Sequence, residues 1–231
     1  MSLLLGTVLL PPPDLWQPRE LPKVRRATRY TVVRERGIRA VRAESRCSAS
    51  VLVHRLSGVD PEVTPLFSWQ WKVPLLPGAE NERTREGDDF GARVYVLFPP
   101  EDGALSFWLR WKHAFFERLY GEELPGSALN YVWTNRLPRG TRWDNPFVPT
   151  SKMISLGAGP LRTWRREVVD LVGDYRRAFG REPPPPMAVG LMTDSDNSCG
   201  DAEAFYGDFR FLDRSERPSR GPESPGTRDG A

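Results

Sequence analysis

Apolar and polar residues alternate along the chain from about Arg29 onwards, and this alternation predicts β-strands. The first strand is predicted at 30–34 and the second at 38–43. Residues 35–37 form the turn between them and end in Gly37, since glycine tolerates the positive φ that a tight hairpin requires. The pattern therefore predicts a β-hairpin at the start of the regular part of the chain.

The same period of two recurs in short segments that are separated by Gly and Pro. In the strand predicted at 66–73, every second residue from Phe67 to Val73 is large and apolar, which is typical of a strand with one side in the core. About nine such strands favour an antiparallel β-sandwich of jelly-roll type. The other strands are predicted at 50–54, 90–98, 129–134, 152–157, 187–193 and 205–212.

Two segments depart from the strand pattern. Residues 105–120 are apolar with interspersed charges and are predicted to form a helical insertion between strands. Apolar residues recur at helical spacing over 164–179, so one packed helix is predicted there. Thr163 is its expected N-cap and Gly180 its expected C-terminal stop.

Length and composition are typical of one folded domain. The chain has 231 residues, of which 39% are hydrophobic and 27% charged, and this suits one sizeable core. We assign 1–27 to an N-terminal segment, 28–213 to a single β-sandwich domain and 214–231 to a disordered tail rich in Ser, Pro, Gly and charge. The net charge of +3, with acidic residues spread among the basic ones, argues against nucleic-acid binding.

The N-terminus and the cysteines bear on the compartment. Residues 1–10 are apolar but too few to span a bilayer, and two interpretations stay open: a buried N-terminus, or the remnant of a secretory signal. Cys47 and Cys199 are the only cysteines. Two free thiols are the default expectation, and a disulfide is the alternative if the chain is exported. Neither cysteine has the Cys/His spacing of a zinc site.

Two acidic turns lie next to predicted strands. The turn Asp194-Ser195-Asp196-Asn197 follows the apolar run at 187–192, and Gly87-Asp88-Asp89-Phe90 opens the strand at 90–98. Several acceptor-rich side chains that leave one strand end together can bind a cation, a sugar hydroxyl or the backbone of their own turn. These turns are therefore predicted to form the functional site at one end of the sandwich.

Asp89, Arg93 and Tyr95 have the same parity along their strand and are predicted to line the face that does not pack on the core. The alternative is that Arg93 forms a structural ion pair, as most Asp/Arg pairs do. Asp194 and Asp196 project to the same side and repel each other unless a cation, an arginine or backbone N–H groups face them. We therefore predict that Arg93 approaches Asp194 or Asp196.

Tyr131 and Trp133 alternate with polar residues in the strand at 129–134. If exposed, the two rings form a platform on which a sugar ring can stack while Asp, Asn and Arg bind its hydroxyls. Eight tryptophans in one domain favour glycan contact, although the two rings can also belong to the core.

The acidic turn also suits a metal ion. Asp194, Asp196 and Asn197 have the oxygen donors that calcium takes, so a structural calcium is one interpretation; no other cofactor is expected. The EF-hand spacing is absent, and an Asx-turn without an ion is the alternative. No catalytic residue is assigned, and for an enzyme the candidate pair would be Asp89 with Asp194 or Asp196.

Five blocks of sequence, in order, are similar to one bacterial family. They are Phe67-Ser68-Trp69-Gln70-Trp71-Lys72-Val73, residues 87–96, Asn130-Tyr131-Val132-Trp133, residues 166–170 and Met192-Thr193-Asp194-Ser195-Asp196-Asn197. Over about 28–212 the chain resembles the domain-of-unknown-function family numbered 3047. The resemblance implies a secreted or envelope protein and carries no established activity.

These observations predict a single-domain, monomeric β-sandwich that binds an oligosaccharide or polysaccharide without catalysis, in the periplasm or outside the cell, with the cytoplasm as the alternative. The predicted contact residues are Asp89, Arg93, Tyr95, Tyr131, Trp133, Asp194, Asp196 and Asn197. One alternative is a carbohydrate-active hydrolase or lyase that uses an Asp pair. Another is a protein-interaction scaffold that uses 105–120.

Overall fold

The computed structural model describes residues 6–21, 24–100 and 126–216 and has two β-sheets packed face to face. Two short 3-10 turns, at Pro13–Leu15 and Arg214–Glu216, accompany the strands. The strands are β1 (Val8–Leu9), β2 (Gln17–Glu20), β3 (Arg29–Glu35), β4 (Ile38–Arg46), β5 (Ser50–Arg55), β6 (Leu66–Leu75), β7 (Ala92–Phe98), β8 (Ser127–Trp133), β9 (Arg142–Asp144), β10 (Ser151–Ser155), β11 (Arg165–Asp170), β12 (Ala188–Met192) and β13 (Asp201–Leu212).

One sheet has the strand order β11-β6-β13-β4-β3, with β1 also paired to β13, and we call it the six-stranded sheet. The other, the seven-stranded sheet, has the order β2-β5-β12-β7-β8-β10-β9. Its β8 and β10 pair in parallel, and the other neighbours are antiparallel. The predicted β-sandwich of jelly-roll type is confirmed. The hairpin of β3 and β4 turns at Arg36 and Gly37, whose φ angles of 50° and 79° are both left-handed.

The core lies between the sheets and is rich in aromatic rings. Trp69 and Trp71 of β6 face Tyr131 and Trp133 of β8, with ring centroids 5.5 Å apart for Trp69 and Tyr131 and 5.7 Å for Trp71 and Trp133. Each such ring removes about 150–250 Å² from water. These rings, from both sheets, stabilise the contact between the layers.

The helix predicted at 164–179 is wrong in its first half. Residues Arg165–Asp170 form β11, which pairs with β6, and the helix α1 covers only Leu171–Phe179. Its N-cap is Asp170, not Thr163, and the Asp170 carboxylate accepts a hydrogen bond of 3.0 Å from the Gly173 amide. Because β6 offers an open edge and Val168-Val169 is β-branched, pairing with β6 outweighs the helical spacing.

The C-terminal end of α1 agrees with the prediction, since Gly180 has φ 72° and caps the helix. The predicted helical insertion at 105–120 lies outside the described residues, and so does the predicted tail beyond Glu216. No helix in the described ranges has the length and apolar character that a bilayer crossing requires.

Residues ahead of the predicted domain boundary at 28 take part in both sheets. Val8–Leu9 pairs with β13, Gln17–Glu20 pairs with β5, and Leu10 is buried. The described part of this segment therefore packs as part of the sandwich.

Cys47 and Cys199 form a disulfide that joins positions 152 residues apart. The default expectation of two free thiols is wrong. Cys47 follows β4 and Cys199 precedes β13, so antiparallel pairing of these strands brings the two together. The covalent link closes one end of the six-stranded sheet.

Candidate functional site

The two acidic turns lie side by side at one end of the seven-stranded sheet. Strands β7 and β12 are antiparallel neighbours, with Arg93 opposite Met192. The residues before β7 therefore meet the residues after β12, as the sequence predicts. Asp88 and Asp89 arrive from one turn and Asp194 and Asp196 from the other.

Arg93 is buried among these carboxylates. Its Nε donates to Asp194 Oδ1 at 2.9 Å, its Nη2 donates to Asp194 Oδ2, and its Nη1 donates to Asp88 Oδ2 at 3.2 Å. Burial alone would lower the pKa of the guanidinium, but Asp194 and Asp88 raise this pKa well above its ordinary value. The predicted approach of Arg93 to Asp194 is confirmed, and the pair is bidentate.

Asp89 binds the loop that follows β12, residues 193–200, which we call the acidic loop. Its Oδ1 accepts from the backbone N and the Nδ2 of Asn197, both at 3.1 Å, and its Oδ2 accepts from the Ser198 amide at 2.6 Å. These donors occupy both oxygens of a carboxylate that is 1% exposed. Asp89 therefore fixes the acidic loop from its buried side and does not face solvent.

The other side of the acidic loop is held by the end of β4 and by the turn between β4 and β5. The Ser195 amide donates to Ser48 O at 3.1 Å, the Ser195 hydroxyl lies 2.6 Å from the Ser45 hydroxyl, and the Cys47 amide donates to Gly200 O at 2.9 Å. The disulfide adds a covalent tie at Cys199. The loop is thus fixed along its whole length.

Asp196 differs from the other three aspartates because it is only half-buried. Burial raises the pKa of its carboxyl above the ordinary value, and the nearby Asp89 carboxylate raises it further. No donor from another residue of the described ranges reaches this carboxylate. Asp196 is therefore the carboxylate of the site that can accept hydrogen bonds from outside.

One oxygen from each of Asp89, Asp194 and Asp196 lies within 4.8 Å of the others. Calcium takes six to eight oxygen ligands, and three carboxylates can supply part of that number. The Arg93 guanidinium, however, already supplies the positive charge beside Asp194. Amide groups of the acidic loop already donate hydrogen bonds to both oxygens of Asp89. The calcium site stays a prediction.

The predicted catalytic pair is also occupied by these contacts. A general acid or nucleophile must reach a substrate directly. Both oxygens of Asp194 bind Arg93, and both oxygens of Asp89 bind the acidic loop. An aspartate locked to Arg93 favours binding or a structural role over catalysis.

The aromatic platform predicted from Tyr131 and Trp133 is wrong. Both side chains face the core, at 0% and 1% exposure, and lie opposite Val94 and Ala92 of β7. The Tyr131 hydroxyl donates to Asp174 of α1 at 3.1 Å. Alternation along β8 separated the two faces correctly, but the sheet-to-sheet packing placed the aromatic face inside.

Tyr95 is the aromatic residue of the predicted surface that keeps partial exposure. It lies on the outer face of β7, two residues from Arg93, and its hydroxyl contacts Met192 Sδ at 3.2 Å. The outer face of the seven-stranded sheet thus has a half-buried Tyr95 packed against an apolar cluster that includes Val51 and Met192, and the acidic loop adds the Asp196 carboxylate and the exposed Asn197 and Ser198.

A second group of outward-facing rings and cations, not predicted from the sequence, lies on the six-stranded sheet. The sequence does contain a signal for this outward-facing group, because Lys72 and Phe205 have the opposite parity to the core residues Trp71 and Tyr206. Assigning Trp164 to a helix concealed its place beside them. We call Trp164, Lys72, Phe205 and Arg42 the aromatic row.

Comparison with solved structures finds carbohydrate-binding modules of low sequence identity. A family 30 module of a cellulosomal cellulase of Clostridium thermocellum has 12% identity and a TM-score of 0.45 over 91% of this chain and 99% of the module. A family 11 module of Clostridium thermocellum in complex with a β-1,3-1,4-mixed-linked tetrasaccharide has 9% identity and a TM-score of 0.44 over 90% and 96%. Another family 30 module has 11% identity and a TM-score of 0.47 over 97% and 94%. Similarity of this size does not extend to a ligand.

No curated protein sequence matches the chain. The family model described as "Protein of unknown function (DUF3047)" matches residues 14–210, which is most of the chain and includes both acidic turns. The protein belongs to the DUF3047 family.

Proposed function

We propose that the protein is a non-catalytic glycan-binding protein whose contact surface is the acidic loop together with Tyr95. One observation carries the proposal: a surface loop held rigid from both sides presents a half-buried carboxylate without a donor from another described residue, at Asp196. Polar groups that are fixed before the ligand arrives bind it without a large loss of conformational entropy.

The rigidity of the loop comes from the buried aspartates. Asp89 fixes the backbone at Asn197 and Ser198, and Asp194 is fixed by Arg93. The buried carboxylates therefore position the exposed groups, and Asp196 and Asn197 make the contacts.

The exposed groups suit a hydroxyl-rich ligand. The Asp196 carboxylate accepts hydrogen bonds from hydroxyls, and the Asn197 Oδ1 can accept them too, since Asn197 Nδ2 already donates to Asp89 Oδ1 and Asp88 O. The half-buried Tyr95, whose hydroxyl lies 3.2 Å from Met192 Sδ, adds a further polar group beside the loop. A neutral glycan bound in this way should show little dependence on ionic strength, unlike a ligand held by charge.

The disulfide supports a location in an oxidising compartment. Disulfides persist in the periplasm and outside the cell, and they are rare in the cytosol. We therefore propose that the protein acts in the periplasm or in the extracellular space, where polysaccharides are available.

The test is a glycan array followed by titration calorimetry with the best binder, on the wild type and on Asp196→Ala, Asn197→Ala and Tyr95→Ala. Losing a hydrogen bond to a charged group should weaken binding by about tenfold or more. Glu62→Gln removes an exposed carboxylate at the other end of the sandwich and should leave affinity unchanged.

An array on which nothing binds would refute glycan binding, and equal affinity in Asp196→Ala and Glu62→Gln would refute the assigned surface. Release of shorter products from a bound oligosaccharide would refute the non-catalytic part of the proposal.

A further inference from the structure

The aromatic row crosses the outer face of the six-stranded sheet in a single line. Phe205 of β13 lies opposite Lys72 on one side and Arg42 on the other. Arg165 lies opposite Trp71, so Trp164, one residue earlier in the antiparallel pair, comes level with Lys72. Four adjacent strands therefore contribute one side chain each, over about 14 Å at the usual strand spacing.

Rings and cations alternate along this line and contact each other. The ring centroids of Trp164 and Phe205 are 6.3 Å apart, with planes at 68°. Lys72 Nζ lies 3.9 Å from the Phe205 centroid and 5.6 Å from the Trp164 centroid, and Arg42 Cζ lies 6.0 Å from the Phe205 centroid. Such cation–π contacts hold both rings in place.

Three of the four side chains of the row are accessible, and the fourth, Lys72, is buried at 8% exposure. Trp164, Phe205 and Arg42 are half-buried, whereas the preceding or following residues Trp71 and Tyr206, of opposite parity, are completely buried. A half-buried ring that is packed on one face leaves the rest of its surface open to a ligand.

Every cation of the row has a carboxylate partner. Arg42 pairs with Glu203 at 2.5 Å and with Glu44 at 3.1 Å, and Lys72 pairs with Glu35. The surface therefore has hydrogen-bond donors and acceptors but little uncompensated charge. That combination disfavours nucleic acid and sulfated or phosphorylated ligands, which need unpaired cations.

A second polar group flanks the row. Asp208 accepts from Gln70 Nε2 at 2.9 Å, from Arg166 at 2.5 Å and from Arg210 Nε at 2.6 Å. Gln70 and Arg166 lie two residues from Lys72 and Trp164 along the same outer face. Fixed polar groups thus border the rings on that side.

We propose that the aromatic row is a second glycan-binding surface, which takes a neutral oligosaccharide by stacking sugar rings on Trp164 and Phe205 and by hydrogen bonding to the flanking ion pairs. It lies on the outer face of the six-stranded sheet, whereas Tyr95 lies on the seven-stranded sheet, so the protein has two separate binding surfaces. The proposal shares its ligand class with the proposed function but uses none of the same residues.

Two separate surfaces make the protein bivalent. A long polysaccharide can then be held at two points, or two chains can be bridged by one molecule. A short oligosaccharide can occupy each surface independently.

The experiment is titration calorimetry and tryptophan fluorescence with a panel of neutral gluco-, manno- and xylo-hexasaccharides. The variants are Trp164→Ala, Phe205→Ala and Asp196→Ala. Phe147→Ala, which removes an exposed phenylalanine outside the row, is the matched control. Circular dichroism on each variant verifies the fold, and Arg42→Ala replaces Phe205→Ala if the latter does not fold.

We expect two sites per wild-type molecule for at least one hexasaccharide. Trp164→Ala and Phe205→Ala should remove one site or weaken it at least tenfold, Asp196→Ala should remove the other, and Phe147→Ala should change neither. If both row variants lose all binding and Asp196→Ala binds as the wild type does, the result supports the row and overturns the acidic-loop surface.

The reverse pattern, binding lost in Asp196→Ala and unchanged in both row variants, overturns the row and leaves the proposed function standing. No binding by any hexasaccharide overturns both. Tighter binding of a sulfated hexasaccharide than of its neutral counterpart overturns the neutral ligand class.

Discussion

Arg93 and Arg42 each hold two carboxylates, yet they lie in opposite environments. The Arg93 side chain is 3% exposed at the acidic end of the seven-stranded sheet, and the Arg42 side chain is 38% exposed in the aromatic row. Removing one partner from a buried ion pair leaves a charge that water cannot solvate, whereas an exposed partner is simply rehydrated. The buried pairs should therefore maintain structure, and the exposed pairs remain available to a ligand.

Arg93→Ala should have the largest effect, because it leaves Asp88 and Asp194 buried without a cation. We expect a loss of about 3–5 kcal/mol in the free energy of unfolding. Urea denaturation measures it, and Arg93→Lys, which keeps the charge but loses the bidentate fork, should lose less. A loss below about 1 kcal/mol would mean that the buried pair behaves like the exposed one.

Opening the disulfide should have the next largest effect. Cys47→Ser with Cys199→Ser should lower stability by about 2–5 kcal/mol, since the link constrains a long segment of the unfolded chain. Reducing agent should bring the wild type to the same melting temperature, while the double variant should not respond to it. Thiols that titrate in the wild type without any reducing agent would contradict the assigned bond.

Arg42→Ala should cost at most about 1 kcal/mol of stability, although it breaks two ion pairs. Added salt should shrink the difference from the wild type further, because the pairs are exposed. Urea denaturation at low and high salt measures both effects. A loss as large as that of Arg93→Ala would remove the distinction between the two regions.

Asp196→Asn should stabilise the protein slightly at neutral pH. The folded-state pKa of Asp196 is raised by burial and then by Asp89, so the wild type loses stability as the pH rises through that raised pKa. The difference between variant and wild type should be near zero below the ordinary carboxyl pKa of about 3.9 and should grow above it.

Urea midpoints between pH 3.5 and 7 measure this difference, with Glu62→Gln as the surface control. If Asp196→Asn were less stable than the wild type at pH 7, Asp196 would have an unrecognised cationic partner.

Calcium should have the smallest effect on the wild type. Arg93 neutralises Asp194, and amide groups of the acidic loop occupy both oxygens of Asp89. Millimolar calcium should therefore move the melting temperature by less than about 1 °C from its value in the presence of a chelator. Magnesium is the control. A calcium-specific rise of several degrees would show that a cation joins Arg93 at the acidic end.

The pairing at the acidic end could be predicted from the sequence. Two acidic turns flank strands of suitable length, and Asp194 and Asp196 need a positive neighbour, which left Arg93 as the partner on the adjoining strand. The hairpin of β3 and β4 could also be predicted, since alternation and Gly37 locate its strand ends to within three residues.

The aromatic residues were harder to assign. Period-two alternation shows that Tyr131 and Trp133 share a face, but the same pattern fits an inward and an outward face. Trp164 was assigned to a helix because apolar spacing over 164–179 fits both structures in part. The alternation of Glu167 and Val169, both buried, indicates a strand only once β6 provides its edge.

The sequence by itself determined most of the longer strands and the charges that must meet at the acidic turns, because these follow from local periodicity and from repulsion between neighbours. Only the tertiary structure decided that Tyr131 and Trp133 face inward, that Trp164 joins Phe205 on the outer face, and that Cys47 meets Cys199. Each of those outcomes depends on which sheet face is covered and which strands pair, and such long-range packing leaves no periodic trace along the chain.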